Sequence, residues 1–198
     1  MSTRRFLTIP RALVSGLVAA LLVAGGPGFA GSAEAAQGTL VSACGGTIGC
    51  PNKINLKNPV DSLTFYALIT APSALNPPAE VFSITLRNAN GVVFTETLGG
   101  GQIQKQGRNY QFRDASARQA GGFSRITLRP RGQNRWRLTV IAHGDMSAAT
   151  LAPMSVELSI GDDTFATQND WSRREFGWLL HLPAGATPPT PTPSPTAG

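Results

Sequence analysis

The sequence predicts an all-β protein built as a single antiparallel β-sandwich, and three observations predict it. From Asp61 to Pro183 apolar and polar residues alternate in short runs. Clusters of turn-forming residues separate those runs, and no stretch carries the spacing of an amphipathic helix. A period of two sends alternate side chains to opposite faces of an extended chain, so each segment buries one face and wets the other. Segments of this kind are best covered by a second sheet, which favours a two-layer sandwich over a barrel.

Each element follows from its own pattern. In DSLTFYALIT, Leu63, Phe65, Ala67 and Ile69 share a face; EVFSITLRN aligns Phe82, Ile84 and Leu86, and VVFTETL aligns Val92, Phe94 and Leu98. A two-residue Asn90-Gly91 turn between these last two would set Leu86 opposite Thr95 and mismatch the faces. A three-residue Ala89-Asn90-Gly91 loop, with Gly91 in a left-handed bulge, pairs Leu86 with Phe94 and Phe82 with Leu98 instead. It also sets Glu96 against Ile84. RNYQFRD aligns Tyr110 with Phe112, FSRITLRP aligns Ile126 with Leu128, and RWRLTVIA aligns Trp136, Leu138, Val140 and Ala142, with PRGQN as the turn between the last two. MSVELSI and REFGWLLHL complete the series, giving eight or nine strands. Immunoglobulin-like is the commonest topology of that size, although its cysteine pair and buried tryptophan are not at the required spacing here.

The ends of the chain read differently. Arg4, Arg5 and Arg11 precede an apolar run, Ala12 to Ala24, and then small residues, the pattern of a secretory signal peptide over residues 1–35. Ala33-Glu34-Ala35 is the best cleavage site and Gly28-Phe29-Ala30 the second. The run is too short for a lasting membrane span, which needs about 20 residues. STRRFLT resembles a twin-arginine signal, but its Phe6-Leu7 comes one position early, which favours ordinary export. The expected location is therefore secreted, periplasmic or at the cell surface. Cleavage removes Arg4, Arg5, Arg11 and Glu34, so the formal charge of +6 becomes +4. Residues 36–60 read as a segment stapled by a Cys44–Cys50 disulfide in an oxidising compartment. A lipid anchor at Cys44, suggested by VSAC, is the alternative, weakened by the distance of that cysteine from the apolar run. Residues 184–198, rich in proline and threonine, read as a disordered tail after a sandwich domain at 61–183.

Two stretches carry the chemistry worth weighing. Between Arg108 and Arg137 there are eight arginines with Asp114 as the only acid. If Ile126, Leu128, Trp136 and Leu138 face the core, then Arg125, Arg129, Arg135 and Arg137 face out, and one hairpin presents four guanidinium groups. Such a surface suits sulfate, phosphate or carboxylate groups of an anionic polysaccharide or envelope component. Nucleic acid is a poorer fit because interleaved exposed aromatics are not evident. The competing explanation is a solvated, edge-protecting face in an arginine-rich composition.

The second stretch is IGDDTFATQNDW. Asp162, Asp163 and Asp170, with Gln168 and Asn169, could offer calcium several oxygens, yet the same residue types build ordinary turns, and a corner between strands is the favoured reading. His143 and Asp145, with the distant His181, are the only histidine and carboxylate grouping that could resemble a zinc or acid-base site. A calcium-stabilised or metal-dependent hydrolytic domain using His143, Asp145, Asp162 and Asp163 is thus the alternative to a non-enzymatic adhesion or scaffolding domain. No nucleophile elbow, phosphate loop or dinucleotide fingerprint appears, so no catalytic residue and no cofactor are assigned.

In YQFRD, GGFSRITL, GDMSAAT, IGDDTF and Phe176-Gly177-Trp178 the chain resembles a group of exported bacterial β-domain proteins of unknown function. That resemblance implies a compact β-domain outside the cytoplasm and brings no activity, ligand or site with it.

Overall fold

β3 (Asp61–Thr70) is one of the two longest strands among the described residues, and it sits at the centre of the larger of two antiparallel sheets. The computed structural model describes residues 36–42, 52–57 and 60–180. The leader at 1–35, Cys44 and Cys50, His181 and the tail at 184–198 lie outside the described residues.

The described residues form thirteen strands and one short helix. The large sheet runs β12 (Ser172–Arg174), β13 (Gly177–Leu180), β2 (Asn52–Asn55), β3, β9 (Arg135–Gly144), β8 (Gly122–Pro130), β7 (Asn109–Arg113) and β6 (Gln104–Gln106), with β1 (Thr39–Ser42) also paired to β3. The small sheet runs β11 (Asp163–Asn169), β10 (Met154–Ile160), β4 (Phe82–Asn88) and β5 (Gly91–Leu98). The helix α1 (Ala117–Ala120) is a single turn before β8. The arrangement is all-β and two-layered, and it is not a barrel.

Burial follows the period-two rule. Leu63, Phe65, Ala67 and Ile69 of β3 are fully buried, as are Leu138, Val140 and Ala142 of β9. They belong to one core with Phe82, Ile84 and Leu86 of β4 and Met154, Val156, Leu158 and Ile160 of β10. Phe82 meets Phe123 across the layers edge to face, with centroids 5.5 Å apart. Tyr110 and Phe112 on β7 share the inward face of Leu128 and Ile126 yet stay half-buried. The small sheet ends at β5, which packs by β8, and β7 lies one strand further out.

The β4–β5 register is the expected one: Leu86 opposes Phe94, Phe82 opposes Leu98 and Ile84 opposes Glu96. Its mechanism differs. Asn88 pairs with Gly91 across a tighter Ala89-Asn90 connection, and the one-residue correction is a bulge at Val93, between the Arg87↔Val92 and Leu86↔Phe94 pairs.

The N-terminal segment corrects the expected domain boundary. β1 and β2 are strands of the sandwich, both hydrogen-bonded along the same edge of β3, so the sandwich starts well before Asp61. Residues 36–38 pair first with the small sheet: Thr164 N donates to Ala36 O at 2.9 Å, and Gly38 N donates to Thr164 O at 2.8 Å. From Thr39, the next residue, the chain is part of the large sheet. β1 covers Ala67 to Thr70 and β2 covers Ser62 to Thr64, which leaves Phe65 and Tyr66 between them, with the main-chain groups of Tyr66 turned to this edge. The buried carboxamide of Asn52 fills that gap, accepting from Tyr66 N at 2.6 Å and donating to Tyr66 O at 3.1 Å. A side-chain amide thus replaces one rung of the backbone ladder.

Candidate anion-binding face

The β8–β9 hairpin places its four predicted arginines as the alternation requires. Arg129 opposes Arg137 directly, Arg125 lies four residues back along β8, and Arg135 begins β9. Their neighbours Ile126, Leu128, Trp136, Leu138 and Val140 are buried, so the guanidinium groups emerge on the opposite, outer face. β7 adds Arg113, which opposes Arg125. Two cross-strand pairs of like charge on one face work against the sheet, since opposing side chains stand about 5 Å apart at Cβ and equal charges there repel.

β6, β7, β8 and β9 contain no acidic residue. Asp114, just after β7, is engaged locally: its Oδ1 accepts from Ser116 N at 2.8 Å and from Ser116 Oγ at 2.6 Å, which holds its carboxyl below the ordinary carboxylate range. The one salt bridge among the described residues, Arg87 to Glu157 at 3.1 Å, lies on the small sheet.

At the β6–β7 edge of the large sheet a cleft of about 600 Å³ opens between the β6–β7 and β8–β9 turns, lined by Lys105, Gly107, Arg108, Asn109, Tyr110, Arg129, Pro130 and Arg131. Lys105, Arg108 and Arg131 were not singled out by the sequence. The register explains their meeting. Tyr110 opposes Leu128, which brings the β6–β7 turn alongside Arg129 to Arg131. Only a reading that recognised β6, whose QKQ has no apolar residue, could have found them.

The acidic candidates do not converge. Ile160 pairs with Asp163 across a two-residue Gly161-Asp162 turn, with Gly161 at φ +61 in the place that glycine takes in a type II′ hairpin. Asp162 is exposed there, whereas Asp163 is buried and accepts from Ser73 Oγ at 3.1 Å. Asp170 follows the far end of β11, a seven-residue strand, and so lies roughly 20 Å away. Asp145 follows Gly144, whose partner is Asp61 at the start of β3, while Ser73 and Asp163 lie past its other end. Ten residues of strand separate the two, roughly 30 Å.

His143 and Asp145 have local partners. His143 Nε2 lies 3.0 Å from Ser124 Oγ, and partial burial, helped by the charge of Arg118, pushes its pKa down. Asp145 Oδ1 accepts from Ser147 N at 2.9 Å, closing an Asx turn, and the Ser147 hydrogen bonds lower its pKa. Among the described residues no three His, Cys, Asp or Glu side chains are grouped to hold a metal ion. The length of β3 keeps Asp145 from Asp163, and the length of β11 keeps Asp163 from Asp170.

Comparison with protein families, curated proteins and solved structures found no match to this chain. Fold and face together define a two-sheet β-domain with four arginines on one side of one hairpin. No helix among the described residues is long and apolar enough to cross a membrane.

Proposed function

We propose that this protein is an exported, non-enzymatic β-domain that holds an anionic polysaccharide or similar polyanionic envelope component against the outer face of β8 and β9. One observation carries the reading: Arg125, Arg129, Arg135 and Arg137 lie on one side of one hairpin, Arg129 directly opposite Arg137, on strands without a carboxylate. Guanidinium groups arrayed in this way offer forked hydrogen bonds to successive oxyanions, and a bound polyanion removes the repulsion between the paired arginines. Export is supported by the basic and apolar leader and by a cleavage site after Ala35, which keeps Ala36, whose carbonyl bonds Thr164.

The test is retention of the mature protein on immobilised dextran sulfate across a salt series. Four ion contacts predict a loss of affinity of about 50-fold or more between 50 and 200 mM salt, by counterion release. Replacing all four arginines with serine should abolish retention while leaving the melting temperature within a few degrees. Retention that ignores salt, or that survives the quadruple replacement, refutes the proposal.

A further inference from the structure

We infer that the cleft between the β6–β7 and β8–β9 turns, at the edge of the sheet that bears the basic face, is a separate subsite for one oxyanion-bearing sugar unit of such a polymer; this rests on the function proposed above. The sheet face and the cleft differ in shape. The face is a pleated surface of spaced charges, suited to reading the charge density of a chain. The cleft is concave, and its volume of about 600 Å³ lies within the range of about 300–1,000 Å³ typical of small-molecule sites. A bare sulfate or phosphate would leave most of it empty.

Its lining supplies both halves of sugar recognition. Lys105, Arg108, Arg129 and Arg131 provide four cations, and no carboxylate is present among the lining residues. Three are arginines, which grip planar or tetrahedral oxyanions through paired N–H donors, while lysine adds a point charge. Tyr110 provides the apolar component. It is half-buried and packs against Trp136 with ring centroids 5.7 Å apart, so its ring is fixed by the core beneath. A single aromatic side chain in the lining suits one sugar ring. A nucleic-acid track needs a succession of them.

The cationic side chains are mounted on short turns. Arg108 follows Gly107, which sits at φ +61 in the two-residue turn joining Gln106 to its partner Asn109. Arg131 starts the β8–β9 turn, whose backbone is closed by Arg131 N to Arg135 O at 2.7 Å, Arg135 N to Gly132 O at 2.9 Å, and Ala71 N to Asn134 O at 2.9 Å. The last bond ties the turn to the segment after β3. Backbone held in this way is ordered before a ligand arrives, which lowers the entropy lost on binding.

The experiment compares three proteins by calorimetry at low salt: the mature wild type, R108S/R131S in the cleft, and R125S/R135S on the sheet face. The probes are sucrose octasulfate, inorganic sulfate and oligothymidylate, with dextran sulfate retention measured in parallel. The cleft variant should lose about tenfold or more in affinity for sucrose octasulfate, since each arginine removes charge-assisted hydrogen bonds. The face variant should lose less than about threefold for that probe and most of its polymer retention. Equal binding of sucrose octasulfate by wild type and cleft variant, with polymer retention still dependent on the face, overturns the subsite and leaves the proposed function standing. Inorganic sulfate binding as tightly as the sulfated sugar overturns the sugar assignment, and so does tighter binding of oligothymidylate. Failure of the wild type to bind any of the sulfated probes removes both ideas.

Discussion

Asn52→Ala removes a side chain that acts as backbone. Tyr66 lies where β1 has ended and β2 has not begun, and both of its main-chain groups bond the Asn52 carboxamide, at 2.6 and 3.1 Å. Asn52 is only 4% exposed, so alanine admits little water to replace it. Leaving a buried donor or acceptor without a partner costs about 1–3 kcal/mol each. Two groups, partly rehydrated because Tyr66 is half-buried, place the expected loss at about 2–4 kcal/mol. For a domain of this size that corresponds to a fall in melting temperature of about 5–15 °C. Urea unfolding followed by tryptophan fluorescence reads it as a lower midpoint with an unchanged slope. Asn55→Ala is the control, because Asn55 Nδ2 only donates to the Ser62 hydroxyl at 3.3 Å at a half-buried position; it should cost under about 1 kcal/mol. A loss below about 0.5 kcal/mol for Asn52→Ala, or equal losses at the two sites, refutes the claim that this amide completes the ladder.

Four further outcomes are expected. Gly177→Ala should destabilise by about 3 kcal/mol or more, because the residue sits at φ +139 and a Cβ there would overlap the Ile54 carbonyl; a near-normal denaturation midpoint would contradict this. The fold lowers the pKa of His143, so the unfolded chain takes up its proton first as pH falls through about 6.5, and stability should drop there. His143→Gln should flatten that part of the stability profile, and an unchanged slope would show that another group controls it. Arg87→Ala should cost less than about 0.5 kcal/mol, since both members of its ion pair with Glu157 are nearly half exposed; a larger loss in chemical denaturation would mean the pair anchors the small sheet. Excess chelator should leave the melting temperature unchanged, because Asp162, Asp163 and Asp170 are spread over both ends of β11. A downward shift would restore a metal role.

Legibility in the sequence tracked how far a residue's environment is set by its own strand. Alternation alone oriented β3, β8 and β9 and so placed Arg125, Arg129, Arg135 and Arg137 on one side. It also anticipated the Ile84↔Glu96 pairing. β11 escaped notice because its inward positions include Asp163 and Thr167, buried polar residues that erase the apolar pattern. β1 and β2 are four residues each, too short for periodicity to register. The role of Asn52 depends on where two other strands stop, and the cleft depends on the β7–β8 register. Neither arises from any single segment. Composition suggested that aspartates beside glycine could gather a cation, but the extended strand between Asp163 and Asp170 carries them apart.

The exchange of partners near the N-terminus has a mechanical consequence. Ala36 to Gly38 grip β11 while Thr39 to Ser42 grip β3, so tension applied at this end is shared by both layers at once. Two bonds at Thr164 and the β1–β3 ladder must all break before this segment comes free. Pulling on residues 36–42 therefore strains both sheets and not one alone.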